Sequence, residues 1–234
     1  MLFKSIFHRS QPKIARFDRE SIAAHYLKGE GLEVGALHAP LELQPGVRVR
    51  YGDFANGDAL NNSYPEISTF TKPDLITDLE TLRGIEDESL DFLIANHVLE
   101  HCEDPIAAMK SVVRTLRTQG IGYLAVPDKR FTFDVEREVT PLEHLIRDHE
   151  EGPDWSLRDH YEEWVRLVDK IDGEERKAKI ATMLEQRSNI HFHVWEYPDM
   201  MRFFTYLLRD MALPLSVEMS CLHGNEVIWV FRKL

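Results

Sequence analysis

Three positions far apart in the sequence constrain this chain most: Glu33-Val34-Gly35 at the end of a short apolar run, Asp53 twenty residues after Glu33, and the nearly continuous apolar stretch Ser89 to Ala95. In a doubly wound α/β sheet the C-terminal ends of neighbouring parallel strands line one crevice, so these positions can meet there. A strand buried on both faces reads as an unbroken apolar run, as Ser89 to Ala95 does. Around it the periodicity predicts a helix over 18–28 and strands at 32–34, 47–51 and 74–77. Asp104-Pro105 opens a further helix, with Asp as cap and Pro in the first turn, and Gly120 is expected to end it. Ile121 to Val126 is the fifth strand. A helix over 199–211 and a hairpin of 215–222 with 227–231, turning at His223-Gly224-Asn225, complete a sheet that is parallel except at one edge.

The segment 131–195 breaks the rhythm after the fifth strand. It is charged and rich in aromatics, holding Trp155, Trp164 and Trp195 and five histidines, and is expected to form a helical insertion that lids the acceptor site within one domain spanning 1–234. Tyr161 and Trp164 are expected to pack inward, and the acidic run Asp148 to Asp154 to be a solvated loop around Gly152-Pro153.

With 43% hydrophobic residues the chain can bury a sizeable core, and its net charge of -12 argues against nucleic acid as a partner. Two cysteines, Cys102 and Cys221, form neither a disulfide framework nor a metal-ligand spacing, which fits a reducing, cytoplasmic setting. No apolar run reaches the roughly 18 residues that span a bilayer. The start of the chain lacks the marks of a signal peptide. Its basic and apolar residues through Arg19 suit an arm or packing helix and admit weak peripheral membrane contact.

The first strand–loop turn selects the ligand. A dinucleotide pyrophosphate needs three glycines so that backbone N–H groups and a helix approach both phosphates. Gly35-Ala36-Leu37-His38-Ala39-Pro40 has one glycine, which disfavours NAD and FAD and suits a cofactor without phosphates, such as S-adenosylmethionine. Asp53 stands where a carboxylate accepts hydrogen bonds from ribose hydroxyls.

The run Leu90 to His101, followed by Asp104-Pro105 and by Gly120-Ile121-Gly122-Tyr123-Leu124-Ala125-Val126-Pro127, resembles the core of class I S-adenosylmethionine-dependent methyltransferases. Gly35 to Leu41, Pro127 to Asp134 and Ile190 to Trp195 are similar to a bacterial subgroup often encoded near glycosyltransferases. The resemblance implies a Rossmann-like sheet of order 3-2-1-4-5-7-6. It also implies that Glu33, Gly35 and Ala36 line the methionine part, Asp53 binds ribose, Asp78 and Leu79 flank adenine, and Asn96 and His97 face the reacting methyl. The first turn departs from the wider family, in which further glycines are usual.

Methyl transfer to a hydroxyl requires positioning and removal of a proton, and histidine suits the latter near neutral pH. His191 and His193 alternate in an extended run and are expected to share one face; with Asp128 at the mouth of the fifth strand, and His101 after the fourth, they are the candidate catalytic residues. Asp128, His191 and His193 could together hold a divalent ion, but their spacing matches no established metal signature, and none is expected. The expected acceptor is a hydroxyl of a sugar or glycoconjugate precursor in polysaccharide biosynthesis, with a homodimer admitted. An amine or other small-metabolite acceptor, a non-catalytic cofactor-binding protein and a dinucleotide oxidoreductase are the alternatives.

Overall fold

The computed structural model describes residues 17–55, 60 and 67–234. The basic arm ahead of residue 17 lies outside them. The helix α1 (Arg19–Tyr26) is closed at its start by Asp18, whose carboxylate accepts from the Ser21 backbone N–H while the Ser21 hydroxyl reaches back. The strands β1 (Glu30–Val34), β2 (Arg48–Asp53), β3 (Leu75–Ile76) and β4 (Leu90–Asn96) follow, then helix α2 (Pro105–Thr115) and strand β5 (Leu116–Pro127). Next come helices α3 (Leu142–Glu151), α4 (Leu157–Leu167), α5 (Gly173–Gln186) and α6 (Tyr197–Arg209), and the hairpin of β6 (Leu215–His223) and β7 (Glu226–Lys233).

The seven strands order as β3-β2-β1-β4-β5-β7-β6, the order implied by the sequence resemblance. β1 to β5 run parallel, and β7 and β6 run antiparallel along one edge. Each face of the sheet carries its own core. Leu32, Val34, Leu93, Ala95, Leu124 and Val126 pack under α2 and α6, whereas Phe92, Ile94, Tyr123 and Ala125 pack under α1. A third, separate core of Leu157, Tyr161, Val165, Ile180, Met183, Ile190 and Phe192 holds α4 and α5 together, with Trp164 against it. The expected inward packing of Tyr161 and Trp164 is thus seen.

Two expectations are corrected. α2 ends at Thr115, and β5 begins at once at Leu116, which is buried and pairs with Leu90. Gly120 is therefore inside the strand, where a Cβ would lie 2.8 Å from the Arg117 carbonyl oxygen; the glycine permits a close backbone approach in β5 and caps no helix. Asp148 is not in a solvated loop. It lies in α3, fully buried, and only the residues after Glu151 leave the helix at Gly152.

Candidate functional site

The register of β1 with β2 and β4 sets the C-terminal ends of these strands side by side, and with them the predicted cofactor residues Glu33, Gly35, Asp53 and Asn96. Gly35 continues β1 by donating its N–H to the Gly52 carbonyl, then turns with φ +70°. A Cβ there would come within 2.7 Å of the Val98 side chain, so the position needs glycine for both conformation and space. Leu37, two residues on, also sits in the left-handed region at φ +44°, a strain of about 1 kcal/mol for a residue with a side chain. Residues 36–47 form no helix, so β1 is not followed by the helix N-terminus that a dinucleotide-binding turn supplies. A diphosphate would find neither the dipole nor the amide array that it requires.

A carboxylate stands in their place. Glu33 is buried at the end of β1 and accepts from the Leu41 backbone N–H at 3.1 Å. Burial pushes its pKa up to about 7, against the pull of the Leu41 N–H and the Arg19 charge. Asp53 ends β2; burial pushes its pKa up to about 6, and the Phe54 N–H counters only part of this. Among the described residues both carboxyls have fewer donors than their burial calls for, and a cationic or hydroxylic ligand would supply them. Ala36, which follows Gly35 in the turn, is buried. The Asn96 carboxamide at the end of β4 is buried and, among the described residues, neither of its polar atoms has a partner, which leaves a donor and an acceptor for a ligand. Asp78 spends its carboxylate on the Thr81 N–H and hydroxyl, and Leu79 belongs to the core beside α2.

Because the folded-state pKa of Glu33 lies above its ordinary value, this carboxyl leaves the fold unpenalised below about pH 4.5 and weakens it as pH rises through about 7. Glu33→Gln is expected to match the parent near pH 4.5 and to exceed it by at most about 3 kcal/mol at pH 8. Denaturant titrations at the two pH values measure this; equal stability of both proteins at pH 8 would contradict it.

His97 follows Asn96 at φ +56° and binds Glu226 through Nε2 at 2.7 Å, with Nδ1 3.5 Å from Glu100. Arg19 also pairs with Glu226, which joins the start of α1 to the start of β7. Burial works against the charge on His97, but Glu226 and Glu100 outweigh it and raise its pKa. Arg19 and His97 overcome burial at Glu226 and bring its pKa down to about 2.

The other predicted catalytic residues fall into three places. Asp128 accepts from Arg130 through its backbone N–H and guanidinium and from the Tyr197 N–H, so it anchors the chain after β5 and the start of α6. His191 donates its Nδ1–H to Asp134 at 2.7 Å, which turns Nε2 toward Glu100 at 4.0 Å. His101 meets it edge-on at 4.7 Å between ring centres and commits its Nδ1–H to the Ile190 carbonyl. Burial lowers the His101 pKa and keeps it neutral. Glu100 lies fully buried among these imidazoles with neither carboxylate oxygen hydrogen-bonded. Cys102 is buried, and burial pushes its thiol pKa well up, which leaves no thiolate for nucleophilic work.

His193 points elsewhere, into a group with His144, Asp148 and His160. The expected shared face for His191 and His193 is not found. No ladder pleats residues 190–194. Their backbone is held instead by Arg137, which donates to the His191 and Phe192 carbonyls, and by the Glu100 carbonyl, which accepts from the Phe192 and His193 N–H groups. Asp128, His191 and His193 therefore do not converge on one point. Exposure separates the two histidines: the His191 side chain is 10% exposed and that of His193 is 0%. Asp134, Glu100 and Arg137 escaped the sequence reading, although an aspartate and an arginine three apart after the fifth strand were a visible signal.

Residues 54–124 match the family described as "Methyltransferase domain". No curated protein sequence matches the chain. Among solved structures, a putative Zn-dependent alcohol dehydrogenase from Rhodobacter sphaeroides superposes with TM-score 0.53 at 13% identity, covering 89% of this chain and 86% of that one. A SAM-dependent methyltransferase from Methanosarcina mazei superposes with TM-score 0.50 at 16% identity, covering 90% and 95%. Likenesses this distant establish the fold. The family match adds the reaction class and supports S-adenosylmethionine as cofactor. The residues present fit that cofactor: an acidic, phosphate-averse corner at Glu33 and Gly35, a buried carboxyl at Asp53 and an unpartnered amide at Asn96. Among the described residues no helix is long and apolar enough to cross a membrane.

Proposed function

We propose that this chain, a class I methyltransferase that draws on S-adenosylmethionine, delivers the methyl group to a hydroxyl of a sugar or glycoconjugate precursor in the cytoplasm, with His191 as the general base. The single observation that carries the reading is the Asp134–His191 pair, with the proton on Nδ1 committed and Nε2 left as the acceptor. When bound, the cofactor supplies a methyl group on positively charged sulfur, open to in-line displacement. Glu33 and Asn96 would hold its charged methionine part, and Asp53 the ribose hydroxyls. His191 Nε2 would take the proton as the acceptor oxygen attacks. Asp134 on one side and Glu100 on the other would stabilise the resulting imidazolium.

The surroundings of His191 favour a sugar over a small amine. Phe133 and Trp164 flank its ring at 4.8 and 6.0 Å. Phe133 is largely exposed, as is Phe131 nearby, so an aromatic ridge borders the base. Such a ridge suits the apolar C–H face of a pyranose, and a hydroxyl becomes an effective nucleophile only as a base takes its proton. The segment 131–195 supplies the ridge, His191 and Asp134, and would act as the acceptor lid.

The test is transfer of labelled methyl from S-adenosylmethionine to a panel of nucleotide sugars and lipid-linked saccharides, beside a matched panel of amines. Label appearing in a sugar ether is the expected result. Label appearing only in amines, at a rate unchanged by His191→Gln, would overturn the reading.

A further inference from the structure

The cluster of His144, Asp148, His160 and His193 takes no part in the proton transfer assigned to His191. We infer that these four side chains bind one divalent transition-metal ion, zinc being the expected occupant, as a closed structural centre that ties α3, α4 and the extended segment 190–195 together.

The geometry is that of a ligand set. His144 and Asp148 sit one turn apart on the same face of α3, His160 comes from α4, and His193 from the segment after α5. One ligand atom from each lies within 4.8 Å of all the others. His144 Nε2 is 3.1 Å from His160 Nε2 and 3.2 Å from Asp148 Oδ2, and His193 Nε2 is 3.7 Å from the same oxygen. Zinc–nitrogen and zinc–oxygen bonds of roughly 2.0–2.2 Å imply tetrahedral edges of about 3.3–3.6 Å, and the three separations bracket that range.

Hydrogen bonding alone leaves the cluster unsatisfied. Asp148 is fully buried and its Oδ2, aimed into the group, has no hydrogen-bond partner. One proton on His144 Nε2 can serve only one of the two acceptors beside it. His193 Nε2 otherwise has the Glu103 carbonyl at 3.3 Å, a contact that the ion would displace. The remaining Asp148 oxygen accepts from the Ser156 hydroxyl at 3.0 Å, the outer-sphere support that metal-ligating carboxylates have. Three imidazoles and a carboxylate fill all four positions with protein, which marks a structural centre over a catalytic one.

The test is the metal content of the full chain, purified without a polyhistidine tag. The expected result is about one zinc per chain, nearly none in His160→Ala, and an unchanged content in His149→Ala, whose imidazole binds Asp104 outside the cluster. Should His160→Ala fail to fold, the wild-type protein stripped with a chelator and titrated with Zn²⁺ or Co²⁺ gives the answer. One equivalent should bind, with the visible bands of tetrahedral Co²⁺ and a higher melting temperature. A wild-type protein that carries no metal and takes none up overturns the inference, as does His160→Ala retaining the wild-type content. Neither outcome touches the role of His191, which is read from methyl transfer.

Discussion

His191→Gln is expected to lower kcat for methyl transfer by about 10²–10⁴-fold, the range that a positioned general base contributes, with cofactor affinity unchanged. Glutamine keeps much of the volume and one hydrogen bond to Asp134, but offers no basic nitrogen. The base has two flanking carboxylates, at 2.7 Å for Asp134 and 4.0 Å for Glu100, so charge developing on the ring is met from both sides. Asp134→Asn tests the positioning half of this. It should depress kcat more than KM, because the tautomer and the imidazolium lose their support while the aromatic ridge stays in place. Single-turnover kinetics with saturating S-adenosylmethionine, beside calorimetric binding of S-adenosylhomocysteine, separate chemistry from binding. A His191→Gln enzyme within a factor of three of the parent in the chemical step would remove His191 from the mechanism.

Arg137→Leu should be the most damaging single substitution for the fold of the insertion, at about 3–5 kcal/mol, the cost of stripping one partner from a buried ion pair. Arg137 is 1% exposed, and its guanidinium serves Asp134, Glu163 and the His191 and Phe192 carbonyls, while its plane lies over Trp164. Leucine would fill part of the volume but take one charged partner from the buried Asp134 carboxylate, leaving it His191, and remove the donor to the His191 and Phe192 carbonyls. A melting-temperature fall of about 10 °C is expected for a chain of this size. The same arginine fixes the backbone that carries His191, so activity should drop further than stability explains. A change below about 1 kcal/mol in denaturant titration would show that Arg137 is not what organises residues 190–194.

The fold was largely legible because its signals are local and periodic. The apolar run into Ala95, the Asp104-Pro105 helix start and the terminal hairpin all appear where their residues place them. The end of α2 was misread because glycine before an apolar strand has two meanings, a helix stop or a close backbone approach. Only the pairing of Leu116 with Leu90 decides between them. Burial of Asp148 was equally hidden: an acidic run looks solvated until a neighbour such as Ser156 turns toward it.

The sequence by itself determined the doubly wound sheet and the phosphate-averse first turn, since strand period, glycine count and the Glu33-to-Asp53 interval can be read along the chain without knowing any contact. Only the tertiary structure decided which histidines can meet. His191 and His193 are two positions apart, yet one joins Asp134 and the other His144, Asp148 and His160. The reason is physical: with no ladder to impose a two-residue period, their directions follow from long-range clamps at Arg137 and the Glu100 carbonyl, and such contacts leave no trace in the spacing of a sequence.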